Sequence, residues 1–328
     1  MQTITQSNPQ MDIQLFADAF KKKGKLLYRW NRRSIHKLAR EISPAYRDFV
    51  NRLLSNSKLL IDRCGGGECR PIEYGEIYSL KKRCKNKIKV DLSDPRTFAH
   101  ELGHSVDFLF GELNSFSGNI VIYDGKTLND IFHEEFNNHH KELYEFLMDE
   151  YRLNIDANIH KGAYDIFINN MPKYLTLCDT EEPKLRKKLQ KELYECGFVE
   201  VYYQINTRKC FKVLEQKYVP IMDALSSMYD ITGLYLMGHD LEYYKRYSAR
   251  AVQEFFANVF ADKILGNHTR YDNLIKLMPR SFDAFEKLFF MIYERIQNNK
   301  RFTDLPIKDT YLDEEVYQDK SEEEEEER

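Results

Sequence analysis

Apolar residues recur at helical spacing through much of the chain. Between about residues 33 and 56 the apolar positions include Ile35, Leu38 and Ile42, and the pattern is interrupted near Pro44. Comparable patterns predict further helices at about 128–152, 182–196, 221–228, 249–265 and 282–298. Short apolar runs at 59–62 and 87–92 predict two strands, and the glycine-rich segment between them predicts turns and a hairpin. Helices therefore dominate the predicted secondary structure.

A helix start is predicted directly after the second of these strands. Ser93 or Asp94 supplies a capping side chain, and Pro95 follows at the first helical position. The predicted helix then runs through His100-Glu101-Leu102-Gly103-His104 toward Phe110. The motif is thus predicted to lie on a helix that follows a strand.

The spacing of this motif favours a metal site. His100 and His104 are four residues apart, so both imidazoles lie on one face of the helix and can reach one ion. Glu101 can sit beside a metal-activated water and accept its proton. Gly103 permits close approach of another element. Asp107 has two interpretations: it either orients a histidine by accepting from its outer N–H, or it is an ordinary solvated residue.

A catalytic zinc needs a third protein ligand, and residues 105–115 contain no histidine. Glu254 is the candidate, because it lies in the otherwise apolar run Ala251–Phe260. A carboxylate buried in such a run is costly unless it is paired or metal-bound. The alternative for this segment alone is an exposed glutamate on a polar face.

The strings Thr97–Asp107 and Glu254–Phe260 resemble the catalytic domain of anthrax lethal factor and its relatives. These relatives are gluzincins, and they include secreted Pro-Pro endopeptidases and zincin domains of phage structural proteins. The resemblance implies a zinc ion bound by His100, His104 and Glu254, with Glu101 as the general base. It also implies that the hydroxyl of Tyr247, seven residues before the ligand glutamate, stabilises the oxyanion.

Three other residues compete with Tyr247 for that role, namely Tyr243, Tyr244 and His239. One departure from the family pattern concerns the position four residues after the ligand glutamate. Relatives often carry an acidic residue there, whereas this chain has Asn258. Weaker binding of zinc is one consequence that we consider for this substitution of asparagine for an acidic residue.

The resemblance implies an α+β fold class, with a mainly helical zincin-type metallopeptidase domain and a small β-sheet next to the active-site helix. We expect a flexible N-terminal arm over residues 1–30 and the metallopeptidase domain over 31–300, with a helical insertion at about 115–210. Residues 301–328 contain four Lys/Arg against twelve Asp/Glu and predict an acidic disordered tail.

The function expected from these features is that of a zinc-dependent endopeptidase acting on a peptide or protein substrate. The alternative is a phage structural or morphogenesis protein that uses a zincin fold with little or no proteolysis. It is motivated by the segment Met11–Ala17, which resembles an arm of many phage structural proteins and makes such proteins candidate partners. No Sec signal peptide is recognised, so we expect a cytoplasmic or virion-associated location.

Charge is distributed unevenly along the chain. Residues 1–96 contain 21 Lys/Arg against 10 Asp/Glu. We nevertheless expect no nucleic-acid partner, because no basic motif interleaved with aromatic residues is evident in the linear sequence. No run of about 18 apolar residues occurs either, so no membrane span is expected.

Overall fold

The structure is a computed structural model of the whole chain, and it describes fourteen ranges and single positions. They are residues 9–23, 25–55, 59–63, 67–72, 85–108, 115–158, 162–180, 182–206, 210–227, 250–298, 300, 305, 306 and 308.

Helices make up most of the described residues. In chain order they are α1 (Pro9–Lys23), α2 (Lys25–Glu41), a 3-10 turn (Pro44–Tyr46), α3 (Arg47–Ser55), α4 (Pro95–Asp107), α5 (Phe116–Asn119), α6 (Leu128–Asn158), α7 (Ala163–Asp179), α8 (Pro183–Glu195), α9 (Phe198–Asn206), α10 (Cys210–Ser226), α11 (Arg250–Leu265), α12 (His268–Leu277) and α13 (Pro279–Gln297). Within the described ranges, no helix is both long enough and apolar enough to cross a membrane.

The fold class predicted from the sequence is wrong, because the architecture is that of a helical protein rather than an α+β protein. The buried core is built almost entirely from helix side chains, and among the strand side chains that the structure describes, only Ile88 and Val90 belong to it. The strands β1 (Leu59–Arg63), β2 (Gly67–Ile72) and β3 (Lys85–Val90) are short. A sheet of this size cannot form a second layer opposite so many helices.

The three strands pair in the order β1-β3-β2, with β1 parallel and β2 antiparallel to β3. Strand β2 falls within the segment predicted as turns and a hairpin. It contains Pro71, which is tolerated because β2 lies at the edge of the sheet. Strand β3 leads directly to α4, which positions the His-Glu-x-x-His motif.

Helix α11 is the central element of the core. Every residue from Ala251 to Asp262 is buried, which is typical of a helix enclosed on all sides. Its aromatic side chains pack against rings from α3 and α13; Phe260 lies 6.2 Å from Phe49 and 5.9 Å from Phe289 between ring centroids. The polar side chains of α11 must therefore find partners inside the protein.

Helix α4 packs directly against α11 at Gly103. A Cβ atom added to Gly103 would lie 2.8 Å from Ala257 Cα and 3.0 Å from the Ala257 carbonyl oxygen. Only glycine allows the two backbones to approach this closely. The start of α4 is fixed by Asp94, whose carboxylate accepts from the backbone N–H groups of Arg96 and Thr97, as predicted for one of the two capping candidates.

The flexible arm predicted for residues 1–30 is corrected by the structure from residue 9 onward. Helix α1 buries Phe16, Ala17 and Phe20, because these apolar residues recur at helical spacing and pack on the core. Residues 1–8 lie outside the described part of the chain.

The predicted acidic disordered tail is corrected at its start. Leu305 is buried, the Pro306 carbonyl accepts from the Val121 N–H, and the Lys308 side chain contacts Asp130 at 2.8 Å. These contacts join residues 305, 306 and 308 to the body of the protein. Residues 309–328 lie outside the described part of the chain.

The segment 115–210, predicted as a helical insertion, contains helices α5 to α9. Helix α6 is joined to the core by a buried carboxylate. Glu135 accepts from the backbone N–H groups of Arg280 and Ser281 at 2.9 and 2.7 Å. It thereby caps the start of α13, where the N-cap residue Met278 offers no capping side chain.

We expect Gly103→Ala to lower the free energy of unfolding by about 1–3 kcal/mol, because the new methyl group overpacks the α4–α11 contact. In an unobstructed helix the same change raises the free energy of unfolding by up to about 1 kcal/mol, because alanine has the higher helix propensity. Urea denaturation followed by circular dichroism measures the difference. Adding Ala257→Gly should not restore stability, because the clash is with backbone atoms. An unfolding midpoint at or above that of the wild type would contradict the close approach.

Candidate metal centre

Helices α4 and α11 bring three potential metal ligands together. His100 and His104 lie one helical turn apart on α4, and Glu254 lies in the first turns of α11. The ligand atoms of these residues all lie within 4.8 Å of one another. Because Gly103 lets α11 approach the face of α4 that carries both imidazoles, the glutamate reaches them across the helix contact.

The three ligand atoms form a nearly equilateral triangle. The two Nε2 atoms are 3.1 Å apart, and Glu254 Oε2 lies 3.2 Å from His100 Nε2 and 3.3 Å from His104 Nε2. Zinc bound tetrahedrally at about 2.0–2.1 Å has ligands about 3.3–3.4 Å apart. Two imidazole nitrogens and one carboxylate oxygen therefore fit a zinc ion in both chemistry and spacing.

A polar clasp fixes the orientation of His100. Its Nδ1 lies 3.1 Å from Asn258 Oδ1, which also accepts from Arg96 Nη2 at 3.0 Å. The Asn258 amide nitrogen donates to Asp223 Oδ2, so the amide cannot be flipped. His100 must therefore donate from Nδ1, which leaves the lone pair of Nε2 directed at the candidate metal position.

Asp223 and Arg96 are the parts of this clasp that sequence reasoning missed. Asp223 carried a signal of the same kind as Glu254, because it interrupts the apolar run Ile221–Leu225 and is buried. Arg96 carried no signal, since an arginine in the first turn of a helix is typical of the protein surface.

Burial and charge shift the pKa values of the three candidate ligands in different directions. Burial lowers the pKa of His100, and the nearby Glu254 carboxylate, which favours the protonated imidazole, opposes this only in part. Burial also acts to lower the pKa of His104, but the Glu254 carboxylate outweighs it and raises the pKa to about 9. Burial acts to raise the pKa of Glu254, whereas the charge of His104 holds it well below its usual value. In the metal-free cluster the buried Glu254 carboxylate is thus balanced by a protonated His104, and a bound cation would take the place of that proton.

Glu101 is buried next to this cluster. Its side chain is only 6% exposed, and its charge is close enough to His104 to contribute to the raised pKa of that imidazole. Glu101 therefore lies beside the candidate centre without being one of its three converging ligands.

Both interpretations of Asp107 are corrected. It is fully buried rather than solvated, and its carboxylate accepts from the backbone N–H and the hydroxyl of Ser117, each at 2.8 Å. Burial raises its pKa to about 6, and the Ser117 hydrogen bonds oppose this shift. Asp107 therefore anchors α5 to the end of α4 rather than orienting a histidine through a hydrogen bond.

The candidates for oxyanion stabilisation lie outside the described residues. This applies to Tyr247 and to its three rivals, Tyr243, Tyr244 and His239. Their roles remain predictions from the sequence.

Comparison with known proteins assigns this chain to no family. No protein-family model, no curated protein and no solved structure matches the chain. The likeness to gluzincins therefore stays a resemblance carried by short motifs, and the functional argument depends on the geometry of the cluster.

The metal-free protein should become less stable between pH 7 and pH 9. His104 has a folded-state pKa of about 9 against 6.5 unfolded, so its stabilisation is full below pH 6.5 and is lost as the pH rises through 9. The expected loss is at most about 3 kcal/mol. Urea denaturation in the presence of a chelator measures it.

His104→Gln should flatten this pH dependence, whereas His268→Gln, at an exposed position, should keep it. A wild-type stability that does not change between pH 7 and pH 9 would show that the pairing of His104 with Glu254 is not formed.

Proposed function

We propose that this chain is a zinc-dependent endopeptidase in which His100, His104 and Glu254 bind the metal and Glu101 is the general base. The observation that supports this most strongly is the convergence of Glu254 on the two histidines. Glu254 is 150 residues from His104 in the sequence, yet its carboxylate oxygen lies 3.3 Å from His104 Nε2.

The composition of the cluster favours a catalytic metal over a structural one. Structural zinc sites are closed by four protein ligands, whereas catalytic sites use three and leave one position open. In the described part of the chain, only His100, His104 and Glu254 form such a group. Zinc held by this set would supply Lewis acidity toward a carbonyl oxygen and toward water.

Glu101 performs the proton transfers in this proposal. Its carboxylate accepts a proton from the attacking water and later donates that proton to the amine leaving group. Helical geometry places it beside His100 but on a different side of α4, which suits a base better than a fourth ligand. Its burial keeps bulk water from competing for the proton.

The clasp of Arg96, Asn258 and Asp223 positions His100 in this proposal. Relatives that the sequence resembles often carry an acidic residue where this chain has Asn258. Here the carboxylate belongs to Asp223 on α10, and Asn258 connects it to the histidine. The outer support of the ligand is therefore retained, although the carboxyl group of Asp223 reaches His100 only through Asn258.

The peptide bond as substrate is inferred from the His-Glu-x-x-His pattern and from the resemblance to gluzincins. The assignment of Tyr247 to the oxyanion has the same origin. A phenol hydroxyl aimed at the developing negative charge would lower the barrier of the hydrolytic step.

We expect Asn258→Ala to weaken zinc binding by about 10- to 100-fold, because His100 loses the acceptor that fixes its tautomer and ring orientation. Competition with a chromophoric chelator measures the affinity. Asn51→Ala is the matched control, since it removes a buried asparagine on α3 and should leave zinc affinity unchanged. Equal affinities of wild type and Asn258→Ala would contradict the role of the clasp.

The proposed activity is tested with purified wild-type protein and Glu101→Gln. Elemental analysis should find about one zinc per chain in both proteins. Mass spectrometry of a diverse peptide pool should find cleavage by the wild type and a loss of at least about 100-fold in the variant. Absence of stoichiometric zinc, or unchanged cleavage by Glu101→Gln, contradicts the proposal. Zinc without cleavage in either protein would favour an assembly role instead.

A further inference from the structure

One surface of the N-terminal helices carries a high density of positive charge. Residues 21–40 contain nine Lys/Arg and no Asp/Glu. Helix α2 turns Ile35 and Leu38 into the core, so its opposite side faces solvent. The exposed cations on this side form what we call the basic face: Arg29, Arg32, Arg33, Lys37 and Arg40. Helix α2 is kinked at Asn31, so Arg29 lies before the kink and the other four cations lie after it.

The charges of the basic face are not neutralised within the described part of the chain. None of its five cations takes part in an ion pair there, whereas Lys21 on α1 pairs with Asp18 at 2.7 Å. The effect on His36 is consistent with this. Burial lowers its pKa, and the charges of Arg32 and Arg40 lower it further. Such an uncompensated cluster attracts polyanions.

An exposed aromatic ring lies on the same helix. Trp30 is the only tryptophan of the chain, and it is 75% exposed. Arg29 directly precedes it, and all five cations of the basic face lie within ten residues of it on α2. The linear sequence does not show which of these side chains are exposed, because their exposure depends on the burial of the apolar side of α2 against the core.

Exposed cations together with an exposed tryptophan favour one class of polyanion as the partner. A membrane-surface helix inserts an apolar side into the lipid, but the apolar side of α2 is already buried in the protein core. An acidic polypeptide would satisfy the cations and leave the ring unused. A single-stranded nucleic acid uses both, because its phosphates pair with cations and its bases stack on exposed aromatic rings.

We propose that the basic face of α2, with Trp30, is a binding surface for single-stranded nucleic acid. The phosphates contact Arg29, Arg33 and Lys37, and one base stacks on the Trp30 ring. Binding depends on charge and stacking and is therefore tolerant of sequence. This surface is independent of the proposed metallopeptidase activity.

The single tryptophan reports directly on this interaction. Titration of the full-length protein with a single-stranded oligothymidylate of about 16 nucleotides should quench Trp30 fluorescence. Poly-L-glutamate, a polyanion without bases, should leave the fluorescence unchanged. Absence of quenching by the oligonucleotide, or an equal effect of poly-L-glutamate, overturns the proposal. A blue shift with anionic lipid vesicles but no response to the oligonucleotide also overturns it, in favour of a membrane surface.

Two variants separate stacking from charge, with binding followed by the anisotropy of a fluorescein-labelled oligonucleotide. Trp30→Ala should weaken binding by roughly 5- to 100-fold, the cost of losing one stacked base. The triple variant Arg29→Gln, Arg33→Gln, Lys37→Gln should reduce the slope of log affinity against log salt by about 2.

The matched control removes three exposed cations from α8, through Lys184→Gln, Arg186→Gln and Lys187→Gln. It changes the net charge by the same amount and should leave the affinity within about twofold, as expected when no phosphate contact is lost. An equal loss in both triple variants would reduce the effect to net charge and overturn the assignment to the basic face.

Discussion

The close approach of α4 and α11 at Gly103 is the constraint on which the candidate site depends. Ala257 Cα would lie only 2.8 Å from a Cβ atom at position 103, so any larger residue must push the helices apart. The same contact brings Glu254 within 3.2–3.3 Å of both imidazole nitrogens. Ligand distances at a zinc site tolerate only tenths of an ångström. A packing requirement of the core and a geometric requirement of the site are therefore met by one glycine.

The second organising feature is the burial of charge in α11. Glu254 is 2% exposed and Asp262 is fully buried, and each is balanced by specific partners. Asp262 pairs with Arg270, whereas Glu254 faces two imidazoles, one of which it keeps protonated. A buried ion pair rarely adds much net stability, because desolvation offsets the attraction. In the proposed function, Glu254 occupies this position as a ligand of the cation rather than as a source of stability.

Local features of the site could be predicted from the sequence, but features that depend on long-range packing could not. Local sequence patterns indicated three of these features: the Asp94 cap, the helix through His100 and His104, and the carboxylate of Glu254 in an apolar run. The clasp through Asp223 required knowing that α10 packs against α11. The flexible arm was predicted wrongly because the core that buries Phe16 and Phe20 is formed by distant segments. The α+β class was predicted wrongly because it came from a resemblance, while this chain devotes few residues to strands.

The central claim is that His100, His104 and Glu254 bind one zinc ion. Anomalous diffraction from crystals of the purified protein, recorded on both sides of the zinc absorption edge, tests it most directly. The account predicts a single strong anomalous peak about 2.0–2.2 Å from Nε2 of both histidines and from the carboxylate of Glu254. No peak at this position in zinc-supplemented crystals, or a peak bound by other residues, would contradict it.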